Sequence, residues 1–367
     1  RMENFRGYGG VQSYPSRTKD VDDVDFSTGS VGLGVAITSF ASLVQDYVQA
    51  KSWGADIPLG RMIALVGDAE LDEGNVYECL QEGWKNDLRN TWWVIDYNRQ
   101  SLDGIVREGL FQRVEKIFDA FGWDVVRIKY GRLQRAAFEE PGGQTLKAWI
   151  DACPNQLYAA LTFMGGAVWR ARLMDALVDR RSDDELAELM ENLGGNCVHT
   201  MAETFSAVDH DRPVCFLAYT IKGWGTPIAG HKDNHGGLMN KAQMAEWQAH
   251  MGVAEGAEWD PYATVEDPDA LRAFLADVPF FAEGTRRHAD RPIPVPAIAT
   301  RAEREMSTQA GFGRILDDIS RTDTELAARI VTMSPDVTGT TSLGPWVNRR
   351  KLFARKAQTD TFISEKI

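Results

Sequence analysis

At 367 residues, 44% hydrophobic and 25% charged, the chain has an ordinary globular composition and a length that suggests two domains. Its net charge of −13, with no Lys/Arg-rich run, excludes the electrostatic footprint of a nucleic-acid binder; an anionic ligand must be held by local groups or a metal ion. The four cysteines, Cys79, Cys153, Cys197 and Cys215, are scattered without a C-x-x-C pair. That argues against a disulfide framework or structural zinc and fits a reducing cytoplasm.

No apolar stretch approaches the roughly 18 residues of a membrane span, and no charged-then-apolar leader suggests export. The chain opens on Arg1 and stops at Ile367 after a charged stretch, which reads as a piece of a longer polypeptide.

In chain order, a Gly/Ser-rich turn at residues 27–34 (STGSVGLG) leads into a helical pattern, with Val35, Ile37, Phe40, Leu43, Val44 and Tyr47 on roughly one face. The apolar run 61–66 ends in Gly67-Asp68, as a buried parallel strand entering a loop does. Residues 75–88 turn helical, with Val76, Leu80, Trp84 and Leu88 four apart, and TWWVI at 91–95 reads as a second buried strand. Strand, helix, strand is a βαβ unit. A helix near 108–121 and a strand at 123–128 form a third unit, and residues 213–220 form one more core strand.

Between the last two strands, residues 135–210 are mostly helical and too long for a connection, so they form an insertion. Prolines at 261, 268, 279, 292, 294 and 296 break regular structure over 255–300, as in an interdomain linker. Beyond Ser307 an amphipathic helix (Phe312, Ile315, Leu316, Ile319) and a strand-like run at 328–332 resemble the opening of a second α/β domain. The fold class expected is α/β, a doubly wound, mainly parallel sheet with helices on both faces. The domains expected are 1–254, a linker at 255–300, and an incomplete 301–367.

In such sheets ligands sit beyond the carboxyl ends of the strands, where Asp68 and Asn98 both fall. Mg²⁺ takes about six oxygens, few of them from protein. Asp68, the Asn98 amide, a main-chain carbonyl near Gln100, two phosphate oxygens and a water would complete that shell. Backbone N–H groups of the 67–70 turn would cradle a phosphate. Spacing alone leaves the bland alternative open: Asp68 capping a helix and Asn98 in a turn.

GDAE at 67–70, followed thirty residues on by Asn98, resembles the thiamine diphosphate motif of transketolase-like enzymes. ENFRGYGGVQSYPS, TGSVGLGVA, GDAELDEGN, VIDYNRQSLDG, FGWDVVRI and TIKGWG occur in the order found in the homodimeric pyruvate dehydrogenase decarboxylating component. The similarity runs over essentially the whole chain. It implies thiamine diphosphate and Mg²⁺ as cofactors, with metal ligands at Asp68, Asn98 and the main chain of Gln100. Ser30, Val31, Gly32 and Leu33 would line the cofactor pocket with Gly67, Ala69 and Glu70. Lys222 would reach the diphosphate, and His235 in the polar loop GHKDNHGG would be the catalytic histidine.

His231 is the poorer match in that loop, and a His-x-x-x-His zinc pair there lacks a third ligand. Ala69 departs from the family's Gly, which permits closer backbone approach than a methyl. Asn196-Cys197 stands where the family carries His-Asp.

The resemblance implies oxidative decarboxylation of pyruvate, with transfer of the acetyl unit to a lipoyl group on an acetyltransferase partner, by a cytoplasmic homodimer. Stretches GGAVWRARL and ELMENLGGN inside the insertion favour this over the alternative, transketolase-type ketol transfer between sugar phosphates. A further alternative is a non-catalytic cofactor-binding remnant. The family's glutamate that ionises the cofactor would lie beyond Ile367, so these residues alone are expected to be inactive.

Overall fold

The structure, a computed structural model, describes residues 4–20, 24–53, 59–101, 104–173, 180–278, 292–298, 303, 305–334, 337–355 and 364. The chain divides into two compact units, residues 1–283 and 284–367.

Among the described residues the first unit is built on four strands, β1 (Met62–Gly67), β2 (Thr91–Tyr97), β3 (Asp124–Ile128) and β4 (Val214–Tyr219), in the order β1-β2-β4-β3. Every neighbouring pair is parallel. The period-two geometry of a strand splits TWWVIDY between two cores. Trp93, Ile95 and Tyr97 enter one, Trp92 and Val94 the other.

Over the first face lie α1 (Leu33–Ala50), α2 (Gly74–Lys85) and α3 (Leu110–Ala120), which supply Val35, Val76, Leu80, Val114 and Phe118 to its core. The second face is covered by α9 (Val198–Ser206) through Met201 and Phe205. Helices on both faces of a parallel sheet are the arrangement expected from the βαβ reading.

Two local expectations fail for packing reasons. The run 61–66 reads as fully buried, but only one face of β1 is covered: Ala64 and Val66 pack inward while Ile63 and Leu65, on the other face, are 55% and 78% exposed and line a cavity. In α1 the face that packs is the small one, Val35, Ala36, Thr38, Ser39 and Ser42, and Phe40 and Val44 are exposed. Small side chains let that helix approach β1 and α2 closely, a preference the 3.6-residue apolar pattern does not encode. Trp84 on α2 is likewise exposed, whereas Leu88 is buried just past the helix end.

The insertion is helical as expected: α4 (Arg132–Phe138), α5 (Gly143–Ala152), α6 (Asn155–Met164), α7 (Gly166–Leu173) and α8 (Asp183–Glu191) precede α9. It has its own core around Tyr158, Leu161, Trp169, Leu186, Met190 and Leu193, and that core takes in Ile221 from the turn after β4. The insertion thereby braces the segment that carries Lys222.

Beyond it come α10 (Lys241–His250) and α11 (Pro268–Asp277). Pro268 does not interrupt an element: it stands in the first turn of α11, where its missing N–H costs nothing, behind an Asp267 side chain that accepts from Ala270 N at 2.9 Å. Pro279 lies outside the described residues.

The second unit holds α12 (Thr308–Ser320), α13 (Glu325–Arg329) and α14 (Gly344–Arg350), packed through Leu316, Ile319, Ala327, Leu343 and Trp346. The strand expected at 328–332 is not formed. The helix formers of ELAAR, started by the Thr324 cap on Ala327 N, carry helix to Arg329, and residues 330–334 are irregular. Among the described residues this unit contains no strand.

Candidate active site

Asp68 follows directly on β1 and opens a 3-10 turn, Asp68–Asp72. It is 3% exposed, and its Oδ2 accepts the main-chain N–H of Arg99 at 2.7 Å. Burial pushes its carboxyl up to about 6, against the pull of that N–H and with further upward pressure from Asp96. The Ala69 N–H and the Lys222 charge offset only part of that rise.

β2 leads into Asn98-Arg99-Gln100, a tight turn with Arg99 in the left-handed region at φ 66°. Asn98 Oδ1 accepts Gln100 N at 2.9 Å and Asn98 Nδ2 donates to Asp96 Oδ2 at 3.3 Å. Gln100 is buried: Nε2 donates to Gly230 O at 3.1 Å, and Oε1 has no hydrogen-bond partner. From the turn after β4, the half-buried Lys222 sends Nζ back across the strand ends to Ser101 O at 3.1 Å and Gln100 O at 3.4 Å. Burial draws the ammonium below its ordinary pKa, opposed by Asp68 and Asp96.

These groups face a cavity of about 980 Å³ at the carboxyl edge of β1 and β2. Ser30, Val31, Gly67, Asp68, Ala69, Glu70, Asn98, Gln100, Lys222 and His235 all line it. Gly32 and Leu33 do not. Gly32 instead makes the entry to α1, at φ +81°, where a Cβ would come within 2.8 Å of Asn75 Oδ1 and 2.9 Å of Glu73 Cβ. Leu33 is half exposed.

His231 lies outside the lining, packed edge-on against Phe163 at 4.6 Å. Among the described residues no three His, Cys, Asp or Glu side chains gather at metal-binding distance.

One amide of the 67–70 turn, that of Gly67, is taken within the fold. Glu70 folds back so that Oε1 accepts Gly67 N and Oε2 accepts Gly32 N, both at 3.1 Å. Ala69 is not among the residues of positive φ, so its methyl is carried without backbone strain.

Arg99 was not legible as a site residue. Its guanidinium donates to Thr220 O at 2.9 Å and lies over the rings of Tyr158 (5.3 Å) and Tyr219 (5.8 Å), tying the Asn98 turn to the insertion and to β4. Asp96, which receives both Asn98 Nδ2 and the Thr220 hydroxyl, was missed as well. Only its place at a strand end hinted at it.

The departure at 196–197 is accommodated. Asn196 Oδ1 accepts Ile221 N at 3.1 Å, next to Lys222. Cys197 is the residue before α9, and its sulfur accepts Arg132 N at 3.4 Å. Burial would raise that thiol, but the Thr200 side chain and the main-chain N–H groups of Arg132, Thr200 and His199 outweigh it and draw it below its ordinary value.

The donors at the strand ends are all oxygens: the Asp68 carboxylate, the Asn98 amide and the Gln100 carbonyl. That set suits a hard dication such as Mg²⁺.

Residues 1–139 match the family described as transketolase, thiamine diphosphate binding domain. Over 92% of its length the chain is 28% identical to the pyruvate dehydrogenase E1 component of Pseudomonas aeruginosa, of which it covers 41%. It is 26% identical over 96% of its length to that of Corynebacterium glutamicum, again covering 41%. It thus spans about four tenths of the length of these relatives. A transketolase structure from Campylobacter jejuni aligns with 93% of the chain and 45% of its own at 16% identity and a TM-score of 0.45.

The resemblance to the thiamine diphosphate enzymes read from the sequence is borne out by the family match and the relatives, and the α/β thiamine diphosphate-binding fold by the match and the parallel sheet.

Proposed function

We propose that this chain carries the diphosphate-binding half of a thiamine diphosphate- and Mg²⁺-dependent pyruvate dehydrogenase, which decarboxylates pyruvate and passes the acetyl unit to a lipoyl group on an acetyltransferase partner. The observation that carries this reading is the convergence of Asp68, Asn98, the Gln100 main chain, Lys222 and His235 around one cavity at the carboxyl ends of parallel strands.

The cofactor, when bound, supplies the nucleophilic carbon and the electron sink for decarboxylation. This chain's residues bind and orient. Asp68 and Asn98 offer side-chain oxygens and Gln100 its carbonyl to the metal, and Lys222 offers its ammonium to the diphosphate. His235, on the loop beyond Lys222, would hold or move a proton at an imidazole nitrogen beside the substrate oxygen. The reading extends to residues 1–254 as the diphosphate-binding domain, 301–367 as the start of a pyrimidine-binding domain, and a cytoplasmic homodimer.

Pyruvate is preferred over sugar phosphates because the helical insertion carries the pyruvate dehydrogenase-like stretches, and because relatives of that name align along most of the chain. Two measurements test this. Calorimetry of thiamine diphosphate with and without Mg²⁺ on wild type and Asp68→Ala should show metal-dependent binding that the substitution abolishes; equal binding throughout would refute the metal assignment. On the natural polypeptide bearing these residues, turnover of pyruvate with a lipoyl-domain acceptor should exceed that of xylulose 5-phosphate with ribose 5-phosphate. Activity on the sugars alone would overturn the choice of reaction.

A further inference from the structure

The Gln100 carbonyl is claimed twice. It is the main-chain donor of the proposed metal set, and it already accepts the Lys222 ammonium at 3.4 Å, with Ser101 O at 3.1 Å as that ammonium's second acceptor. Lys222 can hold that place because its backbone is fixed. Its carbonyl accepts Gly230 N at 3.0 Å and Asn234 Nδ2 at 2.7 Å, and Gly223 behind it is at φ +72°. Only the side-chain torsions are free to move the charge.

The negative charge facing that ammonium comes from Asp68 and Asp96. One monovalent cation therefore stands against two carboxylates that a divalent ion would balance more completely. A monovalent and a divalent cation sharing one carbonyl oxygen at bonding distance repel strongly at any dielectric constant a protein offers.

We infer that Lys222 competes with the divalent cation for the Gln100 carbonyl and thereby couples metal binding to diphosphate binding. This rests on the metal-site reading above. With no anion present, the ammonium stays on Gln100 and Ser101 and opposes entry of the metal. A diphosphate would give the ammonium an alternative acceptor and leave the Gln100 carbonyl to the metal. Each ligand then raises the affinity for the other by the same factor, as linkage requires. Lys222 is a positioning residue in this scheme, acting on the metal through the oxygen it vacates.

The signature is a pair of opposite effects in one variant. Mn²⁺ binding, followed by the electron paramagnetic resonance of the free ion, and thiamine diphosphate binding at saturating Mn²⁺, followed by calorimetry, are measured on the 367-residue chain as wild type, Lys222→Met and Asp68→Asn. Lys222→Met should bind Mn²⁺ alone about tenfold more tightly than wild type and thiamine diphosphate about tenfold more weakly. A lysine that serves only the diphosphate would leave Mn²⁺ affinity unchanged, and that result, or a weaker Mn²⁺ affinity, overturns the proposal. A gain in affinity cannot arise from misfolding. If neither wild type nor Lys222→Met binds Mn²⁺, the metal-site reading itself falls and takes the proposal with it. Binding that is the same in Asp68→Asn as in wild type would place the ion elsewhere and has the same consequence.

Discussion

Asp68 sits where an ionised carboxylate is costly to the folded chain, and that cost is measurable without any ligand. Its folded value of about 6 lies above the ordinary 3.8, chiefly through burial. Stability therefore falls as pH rises from about 4 to 6, and above 6 the whole penalty, on the order of 2–3 kcal/mol, is in force. Asp68→Asn keeps the shape and an acceptor for Arg99 N while removing the charge. Metal-free, it should be more stable than wild type at pH 7 by about that amount, and the advantage should vanish near pH 4. Urea midpoints at the two pH values check this. A variant less stable at pH 7 would mean that the Asp68 charge is already compensated in the fold.

At the same scale, Asp68, Asn98 and Lys222 were legible because strand ends are where α/β sheets hold ligands and because their neighbours resemble a known motif. The left-handed turn at Arg99 and the two amides taken by Glu70 were not. Backbone dihedrals and folded-back side chains leave no periodic trace.

Among elements, β2 and β4 were readable as buried strands because both of their faces are apolar. The packing face of α1 was not, since Ser39 and Ser42 carry no hydrophobic signal although they are buried. The same difference separates β1 from β2 and β4: an apolar run reports a strand but not how many of its faces are covered.

The join between insertion and sheet depends on polar contacts that no pattern marks. Asp151 on α5 accepts from Lys129 and Tyr130 just past β3, and from Lys147 Nζ at 2.8 Å on its own helix. Burial would raise the Asp151 carboxyl, but Lys129, Lys147 and Tyr130 together hold it at about 2. A lowered carboxyl gives stability that is present above the ordinary 3.8 and is lost as pH falls from about 4 to 2. Its side chain is 35% exposed, so screening reduces the contribution to roughly 1 kcal/mol. Asp151→Asn should cost that much at pH 7 and progressively less below pH 4, read from denaturation midpoints. A cost that does not change with pH would assign the effect to packing rather than to charge.

For the molecule as a whole, the proposed metal and diphosphate groups Asp68, Asn98, Gln100 and Lys222 lie within the first compact unit, on the segments that follow β1, β2 and β4. A ligand that binds only the folded site adds RT ln(1 + [L]/Kd), about 2.7 kcal/mol at a hundredfold excess over Kd. That energy appears only in openings that destroy the site. Saturation with thiamine diphosphate and Mg²⁺ should therefore slow amide exchange in peptides covering 62–70, 91–101 and 214–222. Peptides from α12 (Thr308–Ser320), in the second unit, should exchange at the same rate with and without ligand. Equal slowing in α12 would mean that the two units open together. Slowing in neither would remove the cofactor from this site.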